Sequence, residues 1–336
     1  MTCIIWSDVG LFRYTKQMVG SGKSVNEEKK AKSLLLFVVI IWGLNVVMVK
    51  YLSGYFPPLE LATYRIGAAA LLLGVVVWKM YGFVKLSVKE WLYIAGAALT
   101  GIYLHQIALS AGIRTTDAST SSLILGLNPL ATSLLAYAIF REPLTVRKIG
   151  GVVLGFLGVA LVIFGDSWEQ TASLSLGTGE LLVLVAMVVY VISGMFIKKA
   201  TQTAPVLVVT GYSHVLATVL LLLTTGTQNA VNGQMADLPS EWLVWGVLLF
   251  SGWVATALGA IWWNSGIRLI GAGRTAMFLN GMPMMSLLFS VVLLGETITW
   301  VHGIGFLLAF FAIYLGTSQA RVNIKRQEEI AKGQPV

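Results

Sequence analysis

The sequence predicts an all-α membrane protein: ten transmembrane helices laid out as two inverted five-helix repeats, with both termini cytoplasmic. Three observations predict it. Of 336 residues, 57% are hydrophobic and 11% charged, whereas a soluble domain carries about 25% charged residues. The chain also repeats itself. Gly112-Ile113-Arg114 returns as Gly266-Ile267-Arg268, 154 residues on, and Pro129, Glu142, Thr145 and Gly151 return at the same offset as Pro283, Glu296, Thr299 and Gly305. Upstream, Lys50, Pro57 and Tyr64 return as Lys198, Pro205 and Tyr212 at an offset of 148, so one loop of the second copy is six residues longer. Thirdly, the basic residues are distributed unevenly between alternate loops.

A membrane-spanning helix needs about 20 mostly apolar residues. Ten stretches satisfy this: 33–53, 61–80, 91–112, 118–140, 146–165, 177–198, 205–225, 242–267, 273–294 and 301–319. With the N-terminus cytoplasmic, 20 of the 23 Lys and Arg residues fall on the inner side, and only Lys50, Arg65 and Arg114 fall on the outer. The outer loops carry acids instead, among them Glu60, Asp117, Asp166, Glu241 and Glu296. Basic loops face the cytoplasm, which sets the orientation. Residues 33–165 then form the first repeat and 177–319 the second, flanked by a tail at 1–32, expected to be disordered, and another at 320–336. Five is odd, so the second copy enters from the opposite side. Inverted repeats support alternating access around a central site.

Composition also excludes several functions. A single cysteine, Cys3, allows neither an intrachain disulfide nor a cysteine zinc site. The net charge of +8 sits in short loops between apolar spans, which argues for a bilayer and against nucleic acid. Gly20-Ser21-Gly22-Lys23-Ser24 imitates the end of a phosphate-binding loop, but Gln17 stands where its first glycine belongs and no strand precedes it. The first thirty residues lack the clean apolar run of a cleavable signal. No catalytic residue, metal or cofactor is expected. The expected partners are a small-molecule substrate and the lipid bilayer, with the chain a monomer or homodimer in the cytoplasmic membrane.

Polar side chains inside the bilayer are costly, so they turn toward the bundle or water. Trp42 and Asn45 lie three apart and share a face of the first span. Tyr103, Gln106 and Ser110 follow a helical period in the third, as do Ser121, Asn128 and Thr132 in the fourth. Thr256, Trp263 and Asn264 mark the eighth span; Met277, Asn280 and Met284 mark the ninth. Together they outline a cavity of aromatic walls with a few amide groups, as ligand sites usually are. The competing reading is amides that glue packed helices together. One of Trp262 and Trp263 is expected to face the cavity. Pro129 and Pro283, mid-span, remove a backbone hydrogen bond and mark either gate hinges or static kinks. Every acid lies near a helix end or in a loop, so His105, and less so His214, is the candidate for proton coupling. Arg65, near the outer end of the second span, is expected either to meet an anionic or zwitterionic substrate on entry or to be tied to Glu60.

Ordered along the chain, these residues resemble the EamA-type branch of the drug/metabolite transporter superfamily. The resemblance rests on Ile41-Trp42-Gly43 with Asn45, Pro57-Pro58 before Tyr64-Arg65, Leu127-Asn128-Pro129 and Arg141-Glu142-Pro143-Leu144-Thr145. In the second copy it rests on Gly179-Glu180-Leu181-Leu182, Trp262-Trp263-Asn264, and Met282-Pro283 through Gly295-Glu296. It covers residues 33–319 and implies ten helices, a central cavity and transport of a small metabolite, often export. Asn128-Pro129 against Met282-Pro283 implies that the halves line that cavity unequally. A secondary carrier of amino-acid-like or amphiphilic metabolites is therefore expected, with a passive uniporter or exchanger of the same fold, or a non-transporting membrane protein, as the alternatives.

Overall fold

The computed structural model describes residues 25–140, 177–232 and 238–297, and parts of 146–161 and 299–315. The C-terminal tail, most of the N-terminal tail and Glu142 lie outside them. Every regular element among the described residues is helical. α1 runs Val25–Leu52, α2 Pro58–Tyr81 and α3 Val88–Thr115. α4 is in two pieces, Ala118–Leu125 and Asn128–Phe140, and the described residues between 146 and 161 are helical as well (α5). α6 spans Thr178–Ala200, α7 Val206–Asn232 and α8 Trp242–Ile270. α9 joins Ala272–Ala276, a 3-10 turn at Met277–Gly281 and Met282–Leu294, and α10 covers Gly303–Ala312. Six of these (α1, α2, α3, α6, α7 and α8) are long and apolar enough to cross a membrane.

Two boundaries differ from expectation. α1 begins at Val25, inside the stretch expected to be disordered, because Glu27, Glu28, Lys29 and Lys30 are good helix formers that extend it beyond the apolar slab. α7 continues to Asn232, so part of the long loop expected after residue 225 is helix. Local signals set other ends. Pro58 occupies the first turn of α2, where its missing N–H costs nothing. Ser87 and Glu90 form a capping box at the start of α3: the Glu90 amide donates to Ser87 Oγ, and the Ser87 amide to Glu90 Oε2 at 2.7 Å. Gly295, at φ 68°, closes α9 in the left-handed region.

The helices are irregular at matched places. α3 contains a π-helical stretch at Leu99–Leu104, and α8 contains one at Ser251–Leu258. Adding 154 to the first stretch lands inside the second. The break in α4 at Gly126 and Leu127 likewise maps onto the end of the 3-10 turn in α9. Packing follows the same rule: α1 lies on α8 and α9, α6 lies on α3 and α4, and α2 lies on α7. Shifting each helix to its counterpart turns the first set of pairings into the second.

Contacts sort the loops into two ends. At one end Lys50 Nζ donates to the carbonyls of Ile113 (3.1 Å) and Thr116 (2.9 Å), Thr116 Oγ1 donates to Glu180 Oε1, and the Ala118 amide donates to Glu296 Oε1 at 3.1 Å. All of these residues belong to loops or helix ends that the charge pattern assigns to the outside. At the other end the Val84 amide donates to the Tyr212 hydroxyl, and Trp91 stacks flat on Tyr212. Lys50 thus satisfies carbonyls left over at the end of α3, where a cation also suits the helix dipole. Lys50→Met should lower stability by about 1–2 kcal/mol, read as a fall in the thermal unfolding midpoint in detergent. An unchanged midpoint would show that the cap contributes nothing.

Candidate functional site

A cavity of about 130 Å³ lies among α1, α2, α3, α4, α6, α7, α8 and α9. Sites for drug-sized ligands run to about 300–1,000 Å³, so this space suits a solute of amino-acid size. Five α8 residues, from Ala255 to Asn264, line it.

Its walls are aromatic. Trp42 packs on Trp263 with ring centroids 5.0 Å apart and on Tyr190 at 6.2 Å, and His105 lies 4.9 Å from Tyr190. The Trp42 indole N–H donates to the Ala255 carbonyl at 2.8 Å, inside the π-helical stretch of α8. Five-residue hydrogen bonding there disturbs the normal ladder, and π-helical turns concentrate at functional sites. Trp262, next in sequence to Trp263, packs instead on Phe37.

The polar groups are fixed by their partners. His105 Nδ1 lies 2.9 Å from the Ala186 carbonyl, and His214 Nδ1 lies 2.8 Å from the Thr210 carbonyl. A carbonyl only accepts, so in both rings Nδ1 carries the proton and Nε2 of the neutral ring is an acceptor. Asn264 Nδ2 donates to Thr210 Oγ1 at 2.9 Å, and Thr132 Oγ1 donates to Asn128 Oδ1 at 3.1 Å. Arg65 is completely buried. Its Nε donates to Ser251 Oγ (2.8 Å), Nη1 to Gln106 Oε1 (3.1 Å) and Nη2 to Asn45 Oδ1 (3.5 Å). Ser251 Oγ in turn donates to Asn45 Oδ1 at 2.6 Å.

Of the residues singled out in the sequence, Trp42, Asn45, His105, Gln106, Asn128, His214, Thr256, Trp263 and Asn264 line this cavity together. Tyr103 does not. It packs beside Ala62, Ile66 and Ile102, and its hydroxyl pairs with Thr224 Oγ1 at 2.8 Å. Across the π-helical stretch α3 lines the cavity in two rows spaced by four, Ala97, Gly101, His105 and Leu109 beside Ile102 and Gln106, and Tyr103, three before Gln106, falls outside both. Ser110 and Ser121 are buried away from the cavity, and their hydroxyls have no partner among the described residues. Asn280 lies in the 3-10 turn, and its side chain is outside the described residues. Met284 is 46% exposed on the bundle surface, and Met282 takes the wall position because that turn shifts the register.

Arg65 stands behind Asn45 and Gln106, and it does not pair with Glu60. Five residues apart, the two point to different faces of α2. Glu60 Oε1 instead accepts from Asn229 Nδ2 at 3.4 Å. The prolines are also not mid-helix kinks. Pro129 and Pro283 each fall second in a fresh helical piece, Asn128–Phe140 and Met282–Leu294, after a break.

Tyr190, Ser193, Thr210 and Ser213, which the sequence does not single out, line the cavity too. The signal was present in the repeat. An offset of 148 carries Trp42 to Tyr190, Asn45 to Ser193 and Ile66 to His214; an offset of 154 carries Gly101 to Ala255, Gln106 to Ala260, Leu109 to Trp263 and Asn128 to Met282. Every one of these residues is on the wall.

Among the described residues the chain is all-helical, with six helices long and apolar enough to cross a membrane and an aromatic-walled cavity lined from eight helices, an architecture that transporters use. The chain belongs to the EamA-like transporter family, whose model matches residues 29–164 and 177–317. It is similar to the uncharacterized transporter YyaM of Bacillus subtilis, with 29% identity over 88% of this chain and 97% of that protein. A probable amino-acid metabolite efflux pump of Salmonella typhimurium is 28% identical over 88% of this chain and 97% of its own length. A solved crystal structure shares the fold, with a TM-score of 0.65 at 15% identity, covering 86% of this chain and 98% of that one.

Proposed function

We propose that the chain is a secondary carrier that exports small organic metabolites, amino-acid-like or amphiphilic, across the cytoplasmic membrane by alternating access. In this reading it has ten helices in two inverted repeats, 33–165 and 177–319, with both termini cytoplasmic. The observation that carries it is the cavity, whose wall residues pair across the two sequence halves at the offsets of the repeat. A site shared by two related halves is one that each half can expose in turn. Trp42, Asn45, Gln106, Asn128, Trp263 and Asn264 form the substrate wall, with Asn280 assigned to it from its place in the sequence. Pro129 and Pro283, at matched breaks in α4 and α9, are the hinges, since a broken helix changes angle without losing internal hydrogen bonds. The name of the Salmonella relative supports export and an amino-acid-like cargo.

A second reading, a passive uniporter or exchanger, is favoured by one observation: no Asp or Glu is among the described residues that line the cavity. If protons are coupled, His105 and His214 are the groups that carry them. Purified protein in liposomes separates the readings. Solute efflux that dissipates an imposed pH gradient indicates coupling; efflux indifferent to the gradient indicates uniport. No flux of amino acids, amines or sugars in either direction would sink the carrier reading.

A further inference from the structure

We infer that the wall formed by Asn45 and Gln106 is an anion pole that binds the carboxylate of the transported solute, with Arg65 as the residue that orients it. The inference rests on the carrier reading and adds a substrate class and a binding end. A guanidinium offers only donors. Because Arg65 takes Gln106 Oε1 and Asn45 Oδ1, both amides are turned so that their NH2 groups point away from it. Ser251 Oγ, donating to the same Asn45 oxygen, fixes that orientation a second time. Both side chains line the cavity, and neither amide nitrogen bonds a protein group among the described residues. This part of the wall therefore offers hydrogen-bond donors and withholds the acceptors.

The charge behind it agrees. Arg65 is wholly buried, its three protein partners are neutral oxygens, and it makes no ion pair among the described residues. A buried cation without a counter-charge is strongly disfavoured unless something supplies one. A carboxylate, with two oxygens and no donor, matches donor-only amides in front of a positive charge. A carboxamide of the same shape presents its own NH2 and loses half of that match. An amine presents a like charge. At the positions one repeat away, Asn45 becomes Ser193, Arg65 becomes Ser213 and Gln106 becomes Ala260, so the pole exists on one side of the site only and gives an asymmetric solute one orientation.

The test is binding to the full-length protein in detergent, followed by thermal shift. The probes are leucine, threonine and phenylalanine, each beside its carboxamide, together with isovalerate and isovaleramide. Wild type should bind the acid in preference to the amide by about tenfold or more. Gln106→Glu should fold, because the new carboxylate pairs with Arg65, and it should lose the preference by removing both the donors and the net charge. Amides that stabilise as well as acids, a complete lack of shift by any acid, or a folded Gln106→Glu that keeps its preference would each overturn the anion pole. Should that variant not fold, the acid-to-amide comparison in wild type decides alone. Liposome flux of a neutral or cationic solute without preference for acids would leave the carrier reading standing and remove only the pole.

Discussion

Trp263→Ala and Trp262→Ala should lose stability alike and transport unalike. The two rings are neighbours in sequence and both buried, 4% and 8% exposed. Removing a buried tryptophan costs about 3–5 kcal/mol through lost transfer energy and the cavity left behind, so both thermal midpoints should fall. Trp263, however, faces the cavity against Trp42, whereas Trp262 faces outward against Phe37. Solute flux per folded molecule in liposomes should therefore drop by roughly tenfold or more in Trp263→Ala, the equivalent of about 1.4 kcal/mol. It should remain near wild type in Trp262→Ala. Equal losses of flux would make Trp263 a packing residue only.

Gly43→Leu should leave almost no folded protein, while Gly74→Leu should express normally. A Cβ on Gly43 would sit 2.5 Å from Met285 Cβ and 3.0 Å from the Ser286 backbone nitrogen on α9. Overpacking a core costs about 1–3 kcal/mol when side chains can yield. Here a backbone atom blocks the way, and small residues are what let two membrane helices approach so closely. A Cβ on Gly74 would meet nothing within 4 Å. Size-exclusion profiles of the two detergent-extracted variants check this directly. A monodisperse peak for Gly43→Leu would mean that α1 and α9 can separate without loss.

Much of this architecture was legible in the sequence because the bilayer imposes it: long apolar runs had to be helices. Part of the wall was legible for the same reason, since Trp42, Asn45, Gln106 and Asn128 are the polar or aromatic exceptions on those runs. Tyr103 and Met284 were misplaced because hydrophobic periodicity carries no sign of a π-helical or 3-10 stretch, which changes the angle between residues within it and on either side of it. The partners of Arg65 were not legible either. Ser251 lies 186 residues away, and nothing local to α2 indicates that three other helices converge on its guanidinium. Tyr190 and Ser193 are a different case. Neither is conspicuous alone, yet the offset that carries Lys50 to Lys198 also carries Trp42 and Asn45 onto them. The repeat marks wall residues as well as glycines and prolines.

The glycine contacts divide the molecule differently from the sequence. Gly43, Gly259, Gly266 and Gly281 seat α1 closely on the pair α8 and α9, while Gly96, Gly101 and Gly112 do the same between α3 and α6, joined by Gly179 against Thr115 and Thr116. Seams this tight resist sliding. In the alternating-access motion proposed above, α1 would therefore travel with α8 and α9, and α6 with α3. Gly211 and Gly252 hold α2 just as closely to α7 and α8, so α1 and α2 are both clamped to the later half and α6 to the earlier one, and cutting the chain between residues 165 and 177 would part each of these helices from the surface it is seated on.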